Sequence, residues 1–221
     1  SSAVQRAHCF RRANSCSGKG SAGPVPEADD LKREIRACRI CAERFAATGT
    51  AHAPRPVVWF RPSARILIAG QAPGMRVHES GRPFTDASGD RLRSWLGLNA
   101  AEFYAKDRVA IVPMGFCFPG YDSRKADLPP PAVCGRTWHA RVLAQLSGVR
   151  LKIIVGGHAQ RYHMGVKTGV TDTVKAWRDH APQVFPLPHP SWRNTAWLKK
   201  NPWFEAELLP VLRARVKELM E

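Results

Sequence analysis

Acidic residues are scarce in this 221-residue chain: 18 Asp and Glu stand against 34 Lys and Arg, giving a formal net charge of +16 and a pI near 10.3. That shortage argues against a polycationic partner and favours a polyanion, through counterion release and electrostatic steering. Nucleic acid is the first candidate and an anionic membrane surface the second. Long apolar runs are also missing. None approaches the roughly 20 residues that cross a bilayer, which excludes a membrane-spanning helix and leads us to expect a soluble chain. No internal repeat is visible. Residues 1–26 lack any acid and show little apolar periodicity, so a disordered basic tail is expected there, although an Arg- and Ser-rich start also suits an organelle transit peptide. No secretion signal is evident, and a cytoplasmic location is expected.

Apolar residues make up 44% of the chain, enough for one α/β domain, which we place over residues 27–221. "EADDLKREIRACRICAERF" reads as a helix capped by Asp29 or Asp30, with Leu31, Ile35 and Cys38 at helical spacing, running towards Cys41. "ARILIAG", "RVAIVPM", "LKIIVGG" and "QVFPLP" read as short buried strands. Between them lie helical stretches: "DRLRSWLGL", "NAAEF" with a capping box from Asn99 to Glu102, "AVCGRTWHARVLAQL" and "HAQRYHM". "NPWFEAELLPVLRARVKELM" closes the chain as a last helix. Strands alternating with helices predict a central four-stranded, mostly parallel sheet with helices on both faces. In such sheets ligands bind at the carboxyl ends of the strands, where "GQAPG" (residues 70–74) and "HPSWRN" (189–194) both fall.

Of the six cysteines, Cys38 and Cys41 form C-x2-C at a helix end, and Cys117 and Cys134 flank a Pro-rich loop. Four thiolates could close on one metal or cluster. A Zn site commonly uses two tight C-x2-C knuckles, whereas the second pair here is C-x16-C, which leans towards a [4Fe-4S] cluster; Zn and ordinary buried thiols remain open alternatives. A disulfide framework does not suit a chain with this core and no secretion signal. Cys9 and Cys16, in the tail, are not expected to be ligands.

"GQAPG", then "ESGRPF", then the C-x16-C loop, then "HPSWRN", resembles the uracil-DNA glycosylase superfamily over roughly residues 30–220. The cysteine layout is similar to its iron-sulfur branch, family 4. "HPSWRN" is similar to the corresponding loop of the single-strand-selective monofunctional uracil glycosylases. The resemblance implies a monofunctional enzyme of DNA base-excision repair, at work on the bacterial nucleoid. It would flip uracil out of DNA and hydrolyse its N-glycosidic bond, with Cys38, Cys41, Cys117 and Cys134 holding a structural [4Fe-4S] cluster, or alternatively Zn. Uracil-containing DNA is the expected partner and a monomer the expected state. No evident lysine nucleophile occurs in the matched motifs.

Such chemistry needs a backbone grip, a stacking face, a wedge and a means of stabilising the departing base. Gly70 and Gly74 allow close backbone approach, and by resemblance the amides around Gln71 and Ala72 contact the uracil carbonyls. Phe84 matches the stacking aromatic, worth about 1–3 kcal/mol. His189 matches the histidine aimed at the uracil O2, where charge develops; with Gln71 it forms the expected catalytic pair. Ser191, Trp192, Arg193 and Asn194 form the DNA-facing tip: Ser191 for a phosphate, Arg193 as the wedge, Trp192 to stack on a base or pack inward. Lys199 and Lys200 offer phosphate contacts.

Two departures from the family pattern stand out. Ala72 replaces the water-activating Asp of the best-known members, leaving Asp86 and Glu79 as the acids of that segment. Pro113 replaces the Asn that reads uracil, so the base would be read by backbone near Met114, by Gln71, or by His158 or Gln160. A second class of function follows from these departures: a protein that binds damaged or abasic DNA without efficient catalysis.

Overall fold

A computed structural model describes residues 27–221 of the chain. The expected tail, including Cys9 and Cys16, lies outside the described residues.

Four strands build the sheet: β1 (Ile66–Ala69), β2 (Val109–Ile111), β3 (Leu151–Val155) and β4 (Val184–Leu187). They lie in the order β2-β1-β3-β4, and every pairing is parallel rather than mostly so. Ile66 aligns with Val109 on one side and Leu151 on the other. Because side chains alternate along a strand, β1 serves two cores. Ile66 and Ile68 pack with Phe185, Leu187 and the carboxy-terminal helix Leu209–Met220, while Leu67 faces Leu31, Ile35, Trp138 and Val142 from the amino-terminal helix and the helical stretch after Cys134. Burial on both faces explains why the strands read as continuous apolar runs.

The amino-terminal helix spans Ala28–Ala37 and stops before Cys38, shorter than the predicted run to Cys41; a separate helix, Ala42–Ala46, follows. Its N-cap is Glu27, without a side-chain cap bond, so neither Asp29 nor Asp30 caps it; both sit in the first turn, where they favour the positive end of the helix dipole. The Asn99–Glu102 capping box forms as expected. Short helices at Met75–Ser80, Val170–Lys175 and Thr195–Lys200 were not legible, being too brief for an apolar period to repeat. No helix among the described residues is long and apolar enough to cross a membrane.

Candidate active site

The loops leaving β1, β2 and β4 converge on a cavity of about 80 Å³ at the carboxyl edge of the sheet. Its walls include Gly70, Gln71, Ala72, Gly74, Phe84, Asp86, Pro113, Asp127 and His189. The first and fourth motifs thus meet although β3 separates their strands. Gly156, at the end of β3 with φ +80°, makes this possible: a Cβ built there would already lie 3.8 Å from the His189 Cβ and 3.9 Å from its Cδ2. A larger side chain would stand in the path of the histidine.

His189 is held from two sides. The Ser191 N–H donates to its Nδ1 at 3.2 Å, and the Asn194 Nδ2 donates to its backbone carbonyl at 2.7 Å. An Nδ1 that accepts leaves the proton of the neutral ring on Nε2. Burial lowers the pKa of His189, and the neighbouring Asp86 pulls the other way. The ring is therefore suited to act as a neutral Nε2–H donor.

Phe84 sits in the left-handed region at φ +54°, a conformation that costs a non-glycine residue on the order of 1–3 kcal/mol. Its surroundings hold it there. The Arg93 Nη1 and the Tyr104 hydroxyl donate to its carbonyl at 3.2 and 2.9 Å, and a Cβ on Gly89 would come within 1.9 Å of that same oxygen. Phe103 meets its ring edge to face, and the Phe84 Cζ lies 3.5 Å from where a Gly70 Cβ would stand. The ring thereby forms a fixed wall of the cavity.

Asp86 is the N-cap of the helix Ala87–Leu96: its Oδ1 accepts from the Gly89 N–H at 3.1 Å and from the Ser88 hydroxyl. Among the described residues its Oδ2 makes no hydrogen bond, and it lies 4.0 Å from where a Gly74 Cβ would stand. Asp86 both caps and lines the cavity. Glu79, the other acid considered for that segment, lies exposed on the helix Met75–Ser80 and is not part of the wall. Asp127 joins the rim from the loop after β2. Burial raises its pKa, against the lowering effect of Arg193, and Asp86 adds to the rise. Nothing in the sequence marked Asp127: it lies in a polar, Pro-rich loop without periodicity, which the Tyr121–Asp127 bridge and the Leu128 N–H to Gly120 carbonyl bond at 2.9 Å close on itself.

Pro113 occupies the wall but offers no N–H. The next two amides are committed, Met114 N–H to the Gly70 carbonyl at 2.9 Å and Gly115 N–H to the Gln71 carbonyl at 3.0 Å. The Met114 and Gly115 N–H groups are thus removed as base readers. Gln160 is removed as well: it is buried, and its amide donates to the Leu187 carbonyl at 3.0 Å. His158 lies in a neighbouring groove with Met114, Arg136 and Tyr162, outside this cavity. Gln71 lines the cavity, and its side chain makes no hydrogen bond among the described residues. The N–H groups of Gln71 and Ala72 likewise donate to no protein acceptor.

The outer part of the fourth motif faces solvent. Trp192 is 74% exposed, which rules out inward packing, and the Arg193 guanidinium lies 5.8 Å from the centre of its ring. Arg91 steadies the loop by donating to the Ser191 carbonyl at 2.9 Å. Lys199 and Lys200 are exposed at the end of the helix Thr195–Lys200 and make no ion pair among the described residues.

Cys38, Cys41, Cys117 and Cys134 line one small apolar void together with Ile35, Phe45, Phe116 and Trp138. The Phe116 N–H donates to the Cys134 Sγ at 3.4 Å. Burial, reinforced by the neighbouring cysteines, pushes the Cys117 thiol up to about 12 and Cys134 to about 11. Among the described residues no three His, Cys, Asp or Glu side chains close on a single ion.

Comparison with protein families matches residues 57–213, well over half of the chain, to the uracil DNA glycosylase superfamily.

Proposed function

The chain belongs to the uracil DNA glycosylase superfamily, and from that premise we propose that it excises uracil from DNA as a monofunctional glycosylase. The observation that carries the reading is the Ser191 N–H on His189 Nδ1. It leaves the proton of His189, a residue of the cavity wall, on Nε2, in a cavity also lined by the Phe84 ring and by Gln71 and Ala72. The flipped base stacks on Phe84. Its O2 receives hydrogen bonds from His189 Nε2–H and from the amides of Gln71 and Ala72. As the C1′–N1 bond breaks, its electron pair passes to the uracil, and these donors strengthen as the anion develops. Water adds to the C1′ carbon and gives its proton to Asp86 Oδ2, leaving an abasic site.

Gln71 is the proposed reader of the uracil edge, its Oε1 accepting from N3–H and its Nε2 donating to O4. Cytosine presents an acceptor at N3 and a donor at the 4-position, and neither matches a carboxamide held in that orientation. Arg193 is the proposed wedge, and Trp192, Ser191, Asn194 and Lys199 line the DNA path.

We propose that the four cysteines hold a [4Fe-4S] cluster, or alternatively Zn, because all four line one apolar void. When bound, the cluster supplies a cross-link and no chemistry for hydrolysis. Cys38 and Cys41 would tie the amino-terminal helix to Cys117 and Cys134, bracing the loop that carries Pro113. A brown protein with iron and sulfide is expected; a colourless one containing zinc would overturn the cluster assignment.

The central test incubates the full chain with a labelled oligonucleotide carrying one uracil, followed by alkali. Scission at the uracil alone is expected. His189→Ala should lower single-turnover excision by roughly 10²–10³ while DNA binding persists. Retained DNA binding without any scission by the unaltered protein would favour a damage-binding role, the reading that Pro113 keeps alive.

A further inference from the structure

The opposite edge of the sheet carries a second concentration of charge. β1 is entered from Arg61 and Arg65, β2 from Lys106 and Arg108, and β3 from Arg150. Strands of four residues put about 13 Å of sheet between these amino ends and the cavity at the carboxyl ends. There the loop before β1 and the loop before β2 meet the amino-terminal helix in an open groove of about 780 Å³, lined among others by Lys32, Arg36, Arg61 and Lys106.

These cations are not equivalent. Lys32 is committed to Asp29 at 2.9 Å. Arg36, Arg61 and Lys106 make no ion pair among the described residues. The Lys106 ammonium stands 4.0 Å over the Trp59 ring, which fixes its position without neutralising it. Burial, then the charges of Arg36, Arg61 and Lys32, lower its pKa. Mutually repelling cations gathered in one groove gain most from an anion that bridges them. The acids present are Asp29, already paired, and Glu27 at the rim. No stacking face is exposed there: Phe60 is buried and the Trp59 ring is covered by Lys106. The groove can therefore recognise a phosphate backbone but not an unstacked base.

We propose that this groove binds the phosphodiester backbone of a second DNA duplex while the carboxyl-edge cleft holds the first. The two faces would let one molecule pass from duplex to duplex without a free intermediate. The site stands on charge and topology; that its ligand is DNA rests on the glycosylase reading.

Donor- and acceptor-labelled short duplexes lacking uracil, mixed with the full chain at low salt, test this directly. Energy transfer from a particle containing one protein and two duplexes, with mass fixed by sedimentation, is the expected result. Arg36→Gln/Arg61→Gln/Lys106→Gln should weaken the second duplex about tenfold or more and reduce its salt slope by about three, roughly one per cation removed. Single-turnover excision from one short uracil duplex should stay unchanged, since none of these residues lines the cavity. The double change Arg36→Gln/Arg61→Gln spares the Lys106–Trp59 packing and should still lose most of the effect. A strict one-to-one complex with the unaltered protein overturns the proposal, as do variants that bind the second duplex normally. Bridging without uracil release would sink the glycosylase reading and leave the groove standing; release without bridging does the reverse.

Discussion

The corner around Phe84 and the tip beyond Ser191 are built in opposite ways. Phe84 is held in an unfavourable backbone conformation by two donors to its carbonyl, by an edge-to-face ring and by a glycine that leaves room for its oxygen. Trp192, Arg193, Lys199 and Lys200 are exposed and carry no ion pair. On the proposed function the inner corner would meet a planar base in one geometry, for which strain and bracing are supplied in advance. The outer tip must follow a phosphate backbone of variable path, and long cationic side chains do so best when uncommitted.

The largest effect should come from breaking the brace. In Gly89→Ala the new methyl would fall 1.9 Å from the Phe84 carbonyl oxygen, a backbone atom that Arg93 and Tyr104 also hold. A loss of about 3 kcal/mol in chemical denaturation is expected, together with a collapse of excision. Near-native stability with normal excision would show that the Phe84 conformation is not required.

An effect of similar size concerns a partly buried histidine of the neighbouring helix Gly156–Met164. Burial drives the His163 pKa down to about 4, with His139 and Lys152 adding to it. The folded form therefore binds its proton only near pH 4, while the unfolded chain binds one near pH 6.5. Stability from this group is present above about pH 6.5 and is lost as pH falls towards 4, on the order of 3 kcal/mol in all. Urea midpoints should drop across that window, and His163→Gln should flatten the drop. An unchanged slope in the variant would assign the acid sensitivity elsewhere.

Much of this was legible beforehand. Four apolar runs gave four strands, because parallel strands buried on both faces have no polar alternation to confuse the period. The glycine-rich first motif and the histidine of the fourth were legible because turns and close approaches restrict residue choice locally. Three features were not. Asp127 reaches the cavity through a loop fold without sequence periodicity. Gly89 and Gly156 matter through contacts to Phe84 and His189, positions 5 and 33 residues away that no local rule connects. The commitment of the Met114 and Gly115 amides depends on the approach of β1 and β2, which no local sequence rule registers.

Changes at the tip should be milder and should differ in kind. Arg193→Ala should leave single-stranded excision nearly intact and slow double-stranded excision several-fold, since only a duplex leaves a hole for a wedge to fill. Equal losses on both substrates would reassign Arg193 to general phosphate contact.

The smallest effect is expected at Lys199 and Lys200, and it is the most diagnostic of an uncommitted surface. Neither makes an ion pair, and they sit at the last turn of a helix, where the dipole already favours positive charge. Replacing either by Gln removes a mobile cation and no packing, so stability should change by less than about 0.5 kcal/mol. Affinity for uracil-free duplex should fall modestly at low salt, and the logarithmic salt slope should decrease by about one for each lysine that meets a phosphate. The rate of uracil release at saturating enzyme should not move, because on the proposed mechanism that step takes place among Phe84, Asp86 and His189. A changed release rate with an unchanged salt slope would invert the comparison: the tip would then belong to the preorganised part of the site, and the helix that carries these lysines would have to be rigidly coupled to the His189 loop.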